Sequence, residues 1–102
     1  MAFVICEEHG GHVAPLVCRH LGAAVHGRLA LPQIFYVEAW YLGEAAWSHH
    51  ICAACAEDNG LRDSTTIWRD DVALDRLFAL KCDVGPVCPM CFDDAKRRSG
   101  AA

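Results

Sequence analysis

Four closely spaced Cys/His pairs limit what this chain can fold into: Cys6-Glu-Glu-His9, Cys18-Arg-His20, Cys52-Ala-Ala-Cys55 and Cys88-Pro-Met-Cys91. A two-residue gap lets a tight knuckle turn aim both side chains at one point. Zn²⁺ takes four N or S ligands in a tetrahedron at about 2.0–2.3 Å, so two such pairs make one site. The simplest assembly closes Cys52, Cys55, Cys88 and Cys91 on one ion and Cys6, His9, Cys18 and His20 on a second. The two CxxC motifs carry most of the metal argument. Cys18 and His20 are one residue apart, which suits a strand showing both side chains on one face. The alternative makes Cys18 a buried, apolar-like thiol and His20 a polar residue at a helix start. The 32 residues between Cys55 and Cys88 exceed the usual ribbon spacing of about 15–20, so an element must be inserted there. The spacing also admits a cross-braced assembly that mixes first-half and second-half pairs.

Such staples are useful here because 102 residues make one domain whose core buries only a modest share of its surface. Seven Cys and six His are far above ordinary usage, while the apolar fraction of 54% is ample for a core. The formal charge is -4, with 13 acidic and 9 basic residues, and this argues against a general nucleic-acid binder. The only basic run, Lys96-Arg97-Arg98, reads as a solvated helix end complementing the macrodipole. The start, MAFVICEEHGG, has no basic region and reaches Glu7 and Glu8 early, so no signal peptide is expected. No run approaches the roughly 18 apolar residues of a membrane span. The expectation is a cytoplasmic protein, in which clustered Cys means metal or redox chemistry rather than disulfides.

The pattern along the chain implies a single α+β domain over residues 1–102, with short strands, knuckles and two to three short helices. Residues 3–19 alternate between extended pieces and turns, with a break at Gly10-Gly11 and with Pro15 barring a central strand position. HLGAAVH, residues 20–26, suits a helix stopped by Gly27. QIFYVEAWYL, residues 33–42, is rich in β-branched and aromatic side chains and reads as a strand. A helical turn follows Cys55 and ends at Gly60. Residues 70–81 carry acids first and a Leu74, Leu77, Phe78 face, the pattern of a helix. Asp83-Val84-Gly85-Pro86 reads as a turn. FDDAKRR after Cys91 reads as a terminal helix, and residues 96–102 form the frayed end of the chain.

The remaining candidates have plain readings. Cys82 has no close partner in sequence and reads as a buried free thiol. His49 and His50 precede Cys52 and could donate a ligand, but as neighbours they should point apart, and surface positions are expected. His12 and His26 read as solvent-facing. Trp40, Trp47 and Trp68 read as core and rim aromatics.

The ordered set CEEHG, LVCRHL, ICAAC and VCPMCFDDAK resembles a group of small uncharacterised bacterial proteins. Those carry Cys-x-x-His-Gly, Val-Cys-x-His-Leu, Trp-Cys-x-x-Cys and Cys-x-x-Cys-Tyr-Asp-Glu-Ala in the same order. The resemblance spans nearly the whole chain through its motifs and implies Cys6, His9, Cys18, His20, Cys52, Cys55, Cys88 and Cys91 as metal ligands. Ile51 stands where that group tends to have Trp, and Cys82 is an addition. The group brings no established activity.

Eight ligands close two four-coordinate sites and leave none for an open catalytic position. The function expected is therefore a non-catalytic zinc module that binds another protein, with no membrane and no evident small-molecule substrate. The alternatives are a thiol-redox or metal-dependent enzyme, a nucleic-acid-binding zinc module, and iron in place of zinc.

Overall fold

The computed structural model describes residues 2–99, the side chain of Ala2 excepted. Eleven elements follow in order: β1 (Ala2–Cys6), β2 (Gly10–Ala14), β3 (Leu16–Cys18), α1 (Arg19–His26), β4 (Ile34–Tyr41), β5 (Glu44–Cys52), α2 (Ala53–Asp58), β6 (Thr65–Trp68), α3 (Ala73–Phe78), β7 (Val84–Pro86) and α4 (Pro89–Arg98). The class is α+β, with four helices rather than two to three. The strands form an antiparallel β1–β2 hairpin and a mixed five-stranded sheet in the order β6-β4-β5-β3-β7.

β4 forms where expected, because alternating aromatic and β-branched side chains fit a pleated, half-buried surface. It turns straight into β5 through Leu42-Gly43, both in the left-handed region at φ 52° and 80°. Two positive φ values in a two-residue loop make a type I′ turn, whose twist matches that of the flanking strands. β5 escapes a reading of the sequence, since Ala45, Ala46 and the His49-His50 doublet blur its alternation. In the sheet that alternation is clear: His49 is buried on one face beside Phe78 of α3. His50 turns to the other face, against Tyr36 and Phe92 of α4. α3 and α4 therefore cover opposite faces of the sheet.

Two expectations for the second half need correction. The helix proposed over 70–81 is confined to Ala73–Phe78. Asp70 is diverted into a turn of its own, its carboxylate accepting from the Val72 N–H at 3.2 Å and its carbonyl from the Ala73 N–H at 3.1 Å. A short acid that bonds the amide two residues on offers the chain an alternative to helix. Val84-Gly85-Pro86 is an edge strand rather than a turn, paired antiparallel with β3. An edge position tolerates Pro86, whose missing N–H costs no ladder bond. At the chain end, α4 continues through Lys96 to Arg98, with Ser99 at its C-cap. The Ser99 Oγ accepts from the Leu31 N–H at 2.6 Å and donates to the Ala95 carbonyl at 2.8 Å. Gly100 to Ala102, the rest of the expected frayed end, lie outside the described residues.

The core gathers Val17, Leu21, Val25, Val37, Ile51, Leu77 and Phe92, together with three cysteines, Cys18, Cys52 and Cys55. Thiols in this core are part of its packing as well as its chemistry.

Candidate metal centres

Three of the four sequence pairs are built the same way. Cys18, Cys52 and Cys88 are the N-cap residues of α1, α2 and α4, each with extended backbone that turns into the helix at the next residue. His20, Cys55 and Cys91 then sit in the first helical turns, on the side of the cap. Exposed backbone N–H groups and the positive end of the helix dipole favour a thiolate there. Pro89 follows its cap at the first position of α4, where its missing N–H has no helical partner to lose. The remaining pair, Cys6 and His9, flanks the turn between β1 and β2, and Gly10 completes that turn at φ 77°.

All eight expected ligand residues converge on two points, but the grouping is not the sequential one. Cys6, His9, Cys88 and Cys91 form one cluster, and Cys18, His20, Cys52 and Cys55 the other, with the ligand atoms of each within 4.8 Å of one another. The first pair meets the fourth, and the second meets the third. The two CxxC motifs do not share a site, and each cluster is Cys₃His.

Sheet order is the reason. β3 runs parallel to β5, with Val17 opposite His50, so both strands end side by side and release α1 and α2 together. The Cys52 N–H donates to the Cys18 sulfur at 3.3 Å across that junction. β7 runs antiparallel to β3 and pairs Val84 with Cys18. Cys88 lies four residues beyond Val84, so extended chain carries it on the order of 10 Å away, toward the opposite end of β3. There the Val87 N–H donates to the Pro15 carbonyl, and β2 delivers the hairpin. We call the Cys18 cluster the inner centre and the Cys6 cluster the outer centre.

The spacings fit one tetrahedral ion per cluster. Bonds of about 2.3 Å to sulfur and 2.0–2.1 Å to nitrogen give tetrahedron edges of roughly 3.8 Å for S···S and 3.6 Å for S···N. In the outer cluster, Cys6 Sγ stands 3.7 Å from Cys91 Sγ. His9 Nδ1 stands 3.6 Å from Cys6 Sγ and 3.5 Å from those of Cys88 and Cys91. In the inner cluster, His20 Nδ1 is 3.4 Å from the sulfurs of both Cys52 and Cys55. Edges this short enclose a single ion, whereas an iron–sulfur cluster with its bridging sulfides needs a wider cage.

Electrostatics points the same way. Hydrogen bonds from the Glu8 and His9 amides and the His9 ring lower the Cys6 thiol to about 6. Burial, then hydrogen bonding with Cys6 and Cys88, pushes Cys91 up to about 12. At Cys52, burial opposes ionisation but is outweighed by hydrogen bonds from the Cys55 amide and the Cys55 and Cys18 thiols, which lower it. Cys55 is raised, by burial first and then by Cys52 and Cys18. In each cluster one thiol is lowered and a neighbouring one raised, the pattern that closely packed like charges produce. A dication removes that conflict, and three thiolates around it leave one net negative charge.

Several residues outside the clusters are placed differently from expectation. His12 is half-buried and its Nε2 meets the His9 carbonyl at 2.7 Å, bracing the outer centre from behind. His49 is only 4% exposed and belongs to neither cluster, and its Nδ1 and that of His50 are buried without a hydrogen-bond partner. The surface positions expected for this pair are thus corrected: β5 is a central strand covered on both faces. Cys82 is half-buried beside the inner centre rather than alone. His26 is exposed, as expected. Tyr36 Oη and Trp40 Nε1 donate to the Glu38 carboxylate at 2.5 and 2.6 Å, a brace along β4 whose hydrogen bonds lower the Glu38 carboxyl.

Among the described residues no helix is long and apolar enough to cross a membrane. Comparison with protein-family models, curated proteins and solved structures finds no match.

Proposed function

We propose that this chain is a non-catalytic module held together by two structural zinc ions and working through protein–protein contact. The observation that carries the metal reading is the pair of closed Cys₃His clusters at tetrahedral spacing. Four protein donors fill the coordination of Zn²⁺ and leave no position for a substrate or an activated water. Borderline-soft donors of mixed S and N type suit Zn²⁺ better than the hard cations. Structural zinc sites supply about 10–16 kcal/mol of apparent binding free energy at neutral pH, enough to make a small fold depend on its metal. Treatment with a strong chelator under reducing conditions is expected to collapse the dispersed NMR spectrum, and added Zn²⁺ to restore it. A native spectrum in metal-free protein contradicts the reading.

The contact role rests on the hairpin. Phe3 and Ile5 alternate along β1 and Phe3 pairs with Val13, so all three share one face. They are 63%, 83% and 57% exposed. Apolar side chains grouped on an exposed face of a small protein mark a contact surface. Replacing Ile5 by Asp is expected to leave zinc content and melting temperature unchanged while abolishing in-cell crosslinks to a partner. Crosslinks that survive the change contradict this surface as the contact.

A further inference from the structure

The inner centre has more sulfur around it than one ion uses. Cys82 lies with His20 and Cys55 along a cleft of about 370 Å³. Its position is set from both sides by the segments that carry the ligands. On one side the Asp83 carbonyl accepts from the Arg19 N–H at 2.9 Å, between the ligands Cys18 and His20. On the other, the Asn59 side chain ties two backbones together, donating to the Cys55 carbonyl at 2.8 Å and accepting from the Lys81 N–H at 2.7 Å. The residue between Lys81 and Asp83 is thereby held against the centre. Cys82 is half-buried on the wall of that cleft, beside but outside the four donors that lie within 4.8 Å of one another. Within the inner centre, His20 is the one exposed ligand, while Cys18, Cys52 and Cys55 are buried. The donor most open to exchange therefore borders the same cleft as the spare thiol.

We infer that Cys82 is a reserve ligand of the inner centre, able to replace His20 and convert a Cys₃His site into an all-thiolate site for soft, thiophilic divalent cations such as Cd²⁺. The inference rests on the metal-centre reading above. In the exchange a bond forms from the ion to Cys82 sulfur and the bond to His20 Nδ1 breaks. The thiol proton passes to the departing imidazole or to water, and no oxidant or reductant is involved. Thiolate is the softer donor, so the exchange gains most with cations softer than Zn²⁺. The outer centre is Cys₃His as well, but with no comparable thiol: all seven cysteines are accounted for by the six ligands and Cys82.

The test is Cd²⁺ content after desalting, combined with ¹¹³Cd NMR, in the parent and in three variants. The parent and Cys82→Ser should each retain two Cd²⁺. His20→Ala should also retain two, with one ¹¹³Cd line downfield of both lines of Cys82→Ser, as four sulfurs in place of three and a nitrogen require, and Cys82 should become protected from alkylation. His20→Ala combined with Cys82→Ser should retain one. Retention of only one ion by His20→Ala, or failure of that variant to fold with Cd²⁺, overturns the reserve-ligand assignment. Two ions in the double variant overturn it equally. A parent that does not bind two ions overturns the metal-centre reading itself.

Discussion

At the scale of single residues, His49 is the position where this protein stands furthest from ordinary design. It is a buried imidazole packed near Phe78, with an unpartnered Nδ1 and with its pKa lowered by burial. The unfolded chain carries an ordinary histidine near pKa 6.5. The folded state therefore binds fewer protons, so this residue's contribution is intact above about pH 6.5 and is lost as pH falls below it. His49→Phe removes both the orphaned nitrogen and the titration. It is expected to be neutral or to stabilise by about 1 kcal/mol at pH 7.5, with an advantage over the parent that widens by pH 5.5. Thermal unfolding of both zinc-loaded proteins at the two pH values checks this. Equal losses on acidification contradict it. Sequence could not expose this residue: two adjacent histidines look polar until a strand with both faces covered is known to hold them. The eight ligands were legible for the opposite reason, because metal-binding chemistry restricts residue type and spacing far more than packing does.

At the scale of elements, the same device recurs: a ligand cysteine caps a helix and the second ligand lies within its first turns. The expected helices after Cys18, Cys55 and Cys91 follow from that pattern, and α1 ends at Gly27, although the left-handed position expected of that glycine falls to Arg28 at φ 54°. The strands were less legible. β6 and β7 are short and take their structure from neighbours in the sheet, β4 and β3, rather than from any alternation of their own. The β4–β5 turn is well formed but poorly encoded, since Leu42 is held at φ 52° with 85% of its surface exposed. A left-handed conformation costs an L-residue with a Cβ roughly 1–2 kcal/mol, and Asn-Gly is the pair this turn prefers. Leu42→Asn should therefore stabilise the protein by about 0.5–1 kcal/mol, read as a raised midpoint of urea unfolding. A lowered midpoint means that Leu42 makes a contact of its own.

At the scale of the whole molecule, the nested order of the centres divides the labour between them. The inner centre sits within the hydrophobic core, whose members include Cys18, Cys52 and Cys55. The outer centre joins the N-terminal hairpin to α4, with three half-buried ligands, one buried ligand in Cys88, and little other packing. Cys52→Ser is expected to unfold the chain, whereas Cys6→Ser should release the hairpin and keep the five-stranded sheet. Amide exchange resolves the two cases, and protection lost equally throughout in Cys6→Ser contradicts the division. The pairing itself could not be read from the sequence, because spacing along the chain does not say that β3 lies between β5 and β7. That order is a long-range fact of sheet assembly, and it separates the two CxxC motifs. The most direct test is therefore the zinc content of Cys6→Ser combined with Cys91→Ser, measured by elemental analysis after desalting. Nested centres place both changes in one cluster, so one zinc per chain should remain; a sequential pairing spoils both centres, and a value near zero would contradict the account.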